Sequence, residues 1–182
     1  MSQPGYKYLK TYQISTVIYD LTVEFCNKFL SGFDFRRTRE QMVQAARSHK
    51  QNIAEGYLEK SLKSYIKLLG VSRASLEELL EDFRDFLRVR KLCLWSKEDL
   101  RVREIRAIRV ILGPQGFPIT PILPDNPEKA ANLLITFGMQ NGFLLDNQIR
   151  SLEEKFIKEG GYTEKLLNQR LKFRNKPDHL IT

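Results

Sequence analysis

The sequence is poor in the residues that most often carry chemistry. It has two cysteines and two histidines among 182 residues. Cys26 and Cys93 are far apart, form no ligand-like cluster with histidine, and are expected to be reduced and buried in the core. The sequence has neither a glycine-rich phosphate loop nor a nucleophile elbow. Nothing in it requires an enzyme, a cofactor or a bound metal to explain it.

Long apolar runs and strand patterns are also scarce. The longest apolar runs are only a few residues long, as at 133–135, so no segment is expected to span a bilayer. The first residues lack the apolar stretch of a signal peptide, and we expect a cytoplasmic protein. Alternating runs bounded by turn residues are nearly absent, which argues against a β fold. The length and the 42% of hydrophobic residues are typical of one globular core.

Helical periodicity is the dominant pattern. Apolar residues recur every three or four positions in four long segments, which predicts amphipathic helices ending near Gly32, covering 37–55 and 62–91, and running from Pro127 to Gly160. The third stripe repeats every 3.5 residues, as in the coiled-coil-like packing of helix bundles. Ser61 is expected to cap the third helix. A basic helix is predicted at 98–112, opened by Ser96, then a proline-rich connector to 127 and a last basic helix at 163–175. The predicted fold is all-α.

Positive charge is in excess and clustered. The chain has 30 basic and 22 acidic residues, a net charge of +8. Residues 36–50 contain five basic residues and one acidic residue, while residues 155–176 contain seven and two. The first basic cluster consists of Arg36, Arg37, Arg39, Arg47 and Lys50. The second basic cluster consists of Lys165, Arg170, Lys172 and Arg174. Such clusters suit sequence-independent contact with a phosphate backbone, and the alternative is solubility with scattered ion pairs.

A polar row lies beside the apolar stripe of the second predicted helix. Ser48, Asn52 and Glu55 share one face there, and Ser75 and Glu78 share a face of the third helix. We expect the two faces to hydrogen-bond across the seam, since buried polar groups need partners.

Three readings of nearby residues as catalytic or metal-binding groups compete with the structural one. Asn52, Glu55 and Glu78 could hold a hard cation. Glu78, Asp82 and Asp85 share a face that a metal-dependent nuclease could use, although such a run is typical of a solvated helix face. His49 is predicted to be a hydrogen-bonded seam residue rather than a general base.

Two segments carry a resemblance to a known family. In residues 48–56 the matching positions are Ser48, Asn52, Ile53, Ala54, Glu55 and Gly56. In residues 72–79 they are Ser75, Leu76, Glu78 and Leu79. These segments resemble the four-helix-bundle family encoded in intervening sequences of bacterial large-subunit ribosomal RNA genes. Residues 96–126 depart from the family pattern as an insertion.

The resemblance implies a fold and a set of partners. It implies an up-and-down four-helix bundle over residues 6–160, assembled as a homo-oligomer, a pentamer in the family. Residues 161–182 resemble the suffix domain of some members. No enzymatic activity attaches to the family, and the related accessory proteins of diversity-generating retroelements bind nucleic acid and a reverse transcriptase. We therefore expect a non-enzymatic scaffold that binds RNA or DNA, and the alternative is a protein-docking module.

Overall fold

The structure is a computed structural model that describes residues 4–174, which are helical over most of their length. Two short 3-10 turns lie at Gly5–Tyr8 and Phe33–Phe35. The α-helices are α1 (Lys10–Phe29), α2 (Arg36–Leu58), α3 (Leu62–Val89), α4 (Leu100–Ala107), α5 (Pro127–Glu159) and α6 (Tyr162–Arg174). Within residues 4–174 there is no strand, and one isolated β-bridge joins Leu112 and Pro118. The all-α prediction is confirmed.

The four long helices share one core. α1 packs against α2 and α5, and α3 packs against the same two helices. Aromatic rings fill one part of this core, where the Phe25 centroid lies 5.0 Å from that of Phe83 and 4.7 Å from that of Phe86. Edge-to-face pairs of this kind add roughly 0.5–1.5 kcal/mol beyond the area they bury. α4 packs on the outer side of this assembly against α5, with Val102 buried.

Small residues allow the helices to approach closely. At Gly138 of α5 an added Cβ would lie 2.5 Å from Cδ2 of Leu80 on α3. At Gly56 of α2 it would lie 2.8 Å from the Tyr65 ring and 3.3 Å from Cβ of Leu68. Real Cβ contacts are essentially never shorter than 3.0 Å, so a methyl group at either glycine would force a side chain of α3 to shift.

The ends of α5 follow the sequence signals. The Asn126 side chain accepts a hydrogen bond from the Lys129 backbone N–H at 3.0 Å, and Pro127 occupies the first turn. Gly160 ends the helix with φ of 73°, a left-handed conformation that glycine adopts without strain. Ser61 precedes α3 as predicted, but its side chain makes no capping hydrogen bond.

The insertion differs from its prediction. Its helix covers Leu100–Ala107 rather than 98–112, and Asp99 rather than Ser96 caps it by accepting from the Arg101 N–H at 2.9 Å. Residues 108–112 leave the helix because the Ile111 carbonyl accepts from the Ile119 N–H at 2.9 Å, which folds the chain into a turn. β-Branched side chains at 108–111 favour this extended backbone.

The cysteines are both free, but only Cys26 is buried. Burial raises the pKa of its thiol to about 12. The expectation that Cys93 lies in the core is wrong, because α3 ends at Val89 and Cys93 falls in the exposed connector beyond it. None of the helices within residues 4–174 is long and apolar enough to cross a membrane.

Candidate nucleic-acid interface

The arginines at the start of α2 are partly engaged within the fold. The Arg36 Nε lies 3.0 Å from Glu40 Oε1, one turn further along the helix. Arg39 is half-buried, and its guanidinium donates to the Leu30 carbonyl at 3.0 Å, which satisfies the end of α1. Arg37 stays exposed and lines a groove between α2 and α3 together with Glu40 and Glu78. The carboxylates reduce the positive field of this region.

The rest of the first basic cluster is divided in the same way. The Lys50 Nζ lies 4.1 Å from the centroid of the Tyr19 ring, and burial lowers the pKa of its ammonium group. Arg47 is exposed, but it lies ten residues from Arg37, which is about 15 Å along the axis of α2 at 1.5 Å per residue. The structure therefore does not bring the five side chains together as one free surface.

The second basic cluster lies on α6, where no residue is buried. Lys165 pairs with Glu159 at 2.9 Å, and Glu164 accepts from the Gly161 N–H at 2.8 Å. Arg170, Lys172 and Arg174 are exposed and form no ion pair with any residue between 4 and 174. Because both acidic neighbours have partners at the start of α6, its later turns keep a free positive field. Residues 175–182, including the end of the predicted last helix, lie outside the described residues.

The predicted seam between α2 and α3 forms at its serines. The Ser48 and Ser75 hydroxyl oxygens are 2.9 Å apart, and the Asn52 amide donates back to the Ser48 carbonyl at 2.8 Å. Glu55 and Glu78 are exposed, so their predicted place in the seam is wrong. The reason is angular, since each carboxylate lies two residues, about 200°, from a buried neighbour on its own helix.

The buried polar centre is instead built around His49, which is fully enclosed. Its Nδ1 lies 2.8 Å from the Ser72 hydroxyl, which donates to the His49 carbonyl at 2.8 Å. The Asn141 amide nitrogen lies 2.8 Å from Nε2 of His49. The same nitrogen donates to the Thr11 carbonyl at 3.1 Å. This pattern assigns a neutral ring with the proton on Nδ1 and an accepting Nε2. Burial lowers the pKa of His49 to about 4.

The sequence pattern does not single out Asn141. Its only sequence signal is its position between Gly138 and Gly142 on the inner row of α5. The network explains how a polar triad can be buried where four helices meet, because each ring nitrogen has a partner. With no exposed surface, His49 acts as a structural residue of the core.

The acidic run of α3 is mostly ion-paired. Arg73 and Arg84 hold the two oxygens of Glu77 at 2.8 and 2.9 Å and lower the pKa of its carboxyl group. Asp85 pairs with Arg88 at 2.8 Å. No group of three histidine, cysteine, aspartate or glutamate residues within 4–174 is arranged to hold a metal ion. The run has the arrangement of a solvated, salt-bridged helix face.

These features define an all-helical protein with a buried polar network and an exposed basic end helix. Comparisons with protein-family models, with curated proteins and with solved structures find no match to this chain.

Proposed function

We propose that this chain is a non-enzymatic, homo-oligomeric scaffold that binds RNA or DNA without sequence specificity. The observation that carries the proposal is the free positive surface of α6. Arg170, Lys172 and Arg174 lie within five residues on a helix with no buried residue and have no acidic partner among the described residues. Exposed cations of this kind gain affinity by releasing counterions from a phosphate backbone.

The second basic cluster is the better candidate of the two. In the first basic cluster Arg36, Arg39 and Lys50 each have a partner within the fold, which would have to be given up on binding a phosphate. Exposed Arg37 and Arg47 remain as secondary contacts. On α6, Arg170, Lys172 and Arg174 would not have to give up a partner of this kind.

The proposal includes an arrangement and an assembly. Short connections join α1 to α2 and α2 to α3, as in an up-and-down bundle, and the neighbour relations of the four long helices agree with that topology. We expect the protein to be cytoplasmic, and the family resemblance favours a pentamer, in which one α6 per subunit would repeat the positive surface around a ring. It also makes a reverse transcriptase or another nucleic-acid enzyme a possible protein partner. Sedimentation of the full chain as a stable monomer at micromolar concentration would contradict the assembly.

Charge reversal tests the location of the site. One variant carries Arg170→Glu, Lys172→Glu and Arg174→Glu, and its matched control carries Arg36→Glu, Arg37→Glu and Arg47→Glu, with the same change in charge. Binding of a labelled RNA or DNA is measured by fluorescence anisotropy across a salt series. We expect the α6 variant to bind more weakly and to lose about 2–3 from the slope of log K against log salt, since each phosphate contact contributes about 0.7–0.9.

A protein-docking module is the second candidate function, because α6 also exposes apolar side chains. These are Leu166, Leu167, Leu171 and Phe173, which are 43–78% exposed. Apolar surface rimmed by charge is typical of protein-binding helices. Wild-type protein that shows no salt-dependent binding to RNA or DNA would refute the nucleic-acid proposal and leave the docking function.

A further inference from the structure

The insertion forms a groove against α5 that neither basic cluster includes. The groove has a volume of about 230 Å³ and lies beside α4. Val102 of α4 and Ile135 and Met139 of α5 supply apolar surface, and Trp95 of the connector lines it as well. We call it the Trp95 groove. It is smaller than the roughly 300–1,000 Å³ of pockets for drug-sized ligands, which suits one flat ring rather than a large cofactor.

Trp95 is held in place by α5 rather than left mobile. Its indole N–H donates to Glu128 at 3.0 Å, and its backbone N–H donates to the Asn132 side-chain oxygen at 2.9 Å. Asn132 is buried and donates in turn to the carbonyls of Cys93 and Glu128 at 2.9 and 2.8 Å. A tryptophan held by one hydrogen bond from its ring and one from its backbone loses little freedom when a ligand packs against it.

The polar character of the groove is cationic. Arg84, Lys97 and Arg106 line it, and no acidic residue is among the described residues that do so. Arg84 is engaged by Glu77 and Glu81, whereas Lys97 and Arg106 form no ion pair within residues 4–174. Thr136 donates to the Asn132 carbonyl at 2.8 Å, so its hydroxyl proton is already used. The groove thus offers a ligand apolar surface, one aromatic ring and two free cations.

The remaining cation near Trp95 belongs to a neighbouring groove. The Arg101 guanidinium lies 3.8 Å from the centre of the Trp95 ring and pairs with Asp99 at 2.7 Å. Arg101 lines the adjacent groove, not the one that contains Lys97 and Arg106. It therefore covers one face of the ring from the adjacent groove, which Trp95 also lines, and is not among the residues that line the Trp95 groove.

We infer that the Trp95 groove binds one unpaired nucleobase of a single-stranded nucleic acid, with the adjoining phosphate held by Lys97 and Arg106. The inference rests on the proposed function and names the form of nucleic acid that it selects. A base supplies the flat apolar face that the ring and the aliphatic floor require, and its phosphate matches the two free cations. Bases within a duplex are stacked and paired, so a single strand presents them to a groove at far lower cost.

The only tryptophan of the chain reports on this groove directly. Fluorescence of Trp95 is recorded during titration with a short single-stranded oligonucleotide, a duplex of the same sequence and a free mononucleotide. We expect the single strand to quench Trp95 at concentrations where the duplex leaves its emission unchanged. The mononucleotide should act only at much higher concentration, because it lacks the contacts to the rest of the basic surface.

Paired substitutions separate the groove from general charge. Lys97→Ala with Arg106→Ala should weaken the quenching titration at least about fivefold, because the phosphate would lose both of the cations that hold it. Arg103→Ala with Arg109→Ala is the control matched in charge, because both arginines are exposed close to α4 but do not line the groove. We expect the control to bind like the wild type within about twofold.

The outcomes separate the two proposals. Binding of the single strand is also measured by anisotropy. If it binds while Trp95 emission does not change and the Lys97/Arg106 variant binds like the wild type, the groove is not the site, although the proposed function stands. Quenching by the duplex as strong as by the single strand overturns the groove assignment too. A mononucleotide that quenches at the same concentration as the strand makes a free nucleotide the occupant and overturns the single-strand assignment. Absence of all nucleic-acid binding refutes the proposed function and the groove with it.

Discussion

Acidification tests the buried network around His49. The pKa of His49 is about 4 in the folded protein, against an ordinary value of 6.5 in the unfolded chain. Because the unfolded state then binds the proton more tightly, protonation favours unfolding. The stabilising contribution of neutral His49 is complete above about pH 6.5 and is lost as the pH falls towards 4. A difference of about 2.5 in pKa corresponds to about 3 kcal/mol.

The geometry gives the reason for this cost. A second ring proton would sit on Nε2, where the Asn141 amide nitrogen is a donor at 2.8 Å. Rotating the Asn141 amide would bring its oxygen against the Thr11 carbonyl, which now lies 3.1 Å from the amide nitrogen. Neither arrangement accommodates a charged ring without breaking a buried hydrogen bond.

Urea unfolding followed by circular dichroism at pH 7.5, 6.5, 5.5 and 4.5 measures the effect. His49→Gln keeps a donor and an acceptor but does not titrate, so the carboxylates common to both proteins cancel in the comparison. Wild type should lose about 2–3 kcal/mol more than the variant over this range. If the free energies of unfolding of wild type and His49→Gln fall by the same amount over this pH range, the reasoning is refuted. A direct NMR titration of the wild-type His49 ring with a midpoint near 6.5 would refute it as well.

Two further predictions concern packing and the seam, and both are read from the free energy of unfolding in urea. Gly56→Ala should destabilise the fold, because a clash with the Tyr65 ring costs about 1–3 kcal/mol and alanine gains only about 1 kcal/mol over glycine in a helix. Gly70→Ala should instead stabilise the fold, because an added Cβ meets nothing within 4 Å there. Equal effects at the two glycines would contradict the close approach. Asn141→Leu should cost about 1–3 kcal/mol by leaving a buried His49 nitrogen without its donor, and Asn52→Leu should cost less because Asn52 bonds within its own helix. A larger loss of stability for Asn52→Leu than for Asn141→Leu would instead support the predicted seam between α2 and α3.

Much of the fold was predictable because periodicity and end signals are local. The stripes of α1, α2, α3 and α5 and the Asn126–Pro127 start of α5 are properties of neighbouring residues. The insertion was harder to predict, since its helix ends at Ala107 and the Ile111 carbonyl beyond it accepts from the Ile119 N–H, eight residues ahead. A tertiary hydrogen bond of this kind outweighs the helical preference of a basic, polar segment.

The polar residues were predictable as a group but not in their pairing. A row of serine, asparagine and glutamate on α2 indicated a seam, and the seam exists at Ser48 and Ser75. Its buried centre depends on Asn141, which lies 92 residues from His49 in the sequence. Charge counts have the same limit, because they register five cations at 36–50 without showing that Arg39 is used to satisfy the end of α1.

The positions of polar groups with and without partners explain why the two proposed binding sites lie at the periphery of the fold. Inside the four long helices, Ser72 and Asn141 both bond to His49, and among the described residues only Gln13 Oε1 and Asn141 Oδ1 are buried side-chain polar atoms without a hydrogen-bond partner. Exposed cations without an ion pair among the described residues occur on α2, as Arg37 and Arg47, and also on α6 and beside the Trp95 groove, two segments that contribute little to the core. The two surfaces would also bind a nucleic acid through different interactions. α6 presents charge, whose contribution fades as salt rises, whereas the groove adds an aromatic ring and apolar floor that salt does not screen. A strand held by both would keep part of its affinity where a purely electrostatic binder has lost it.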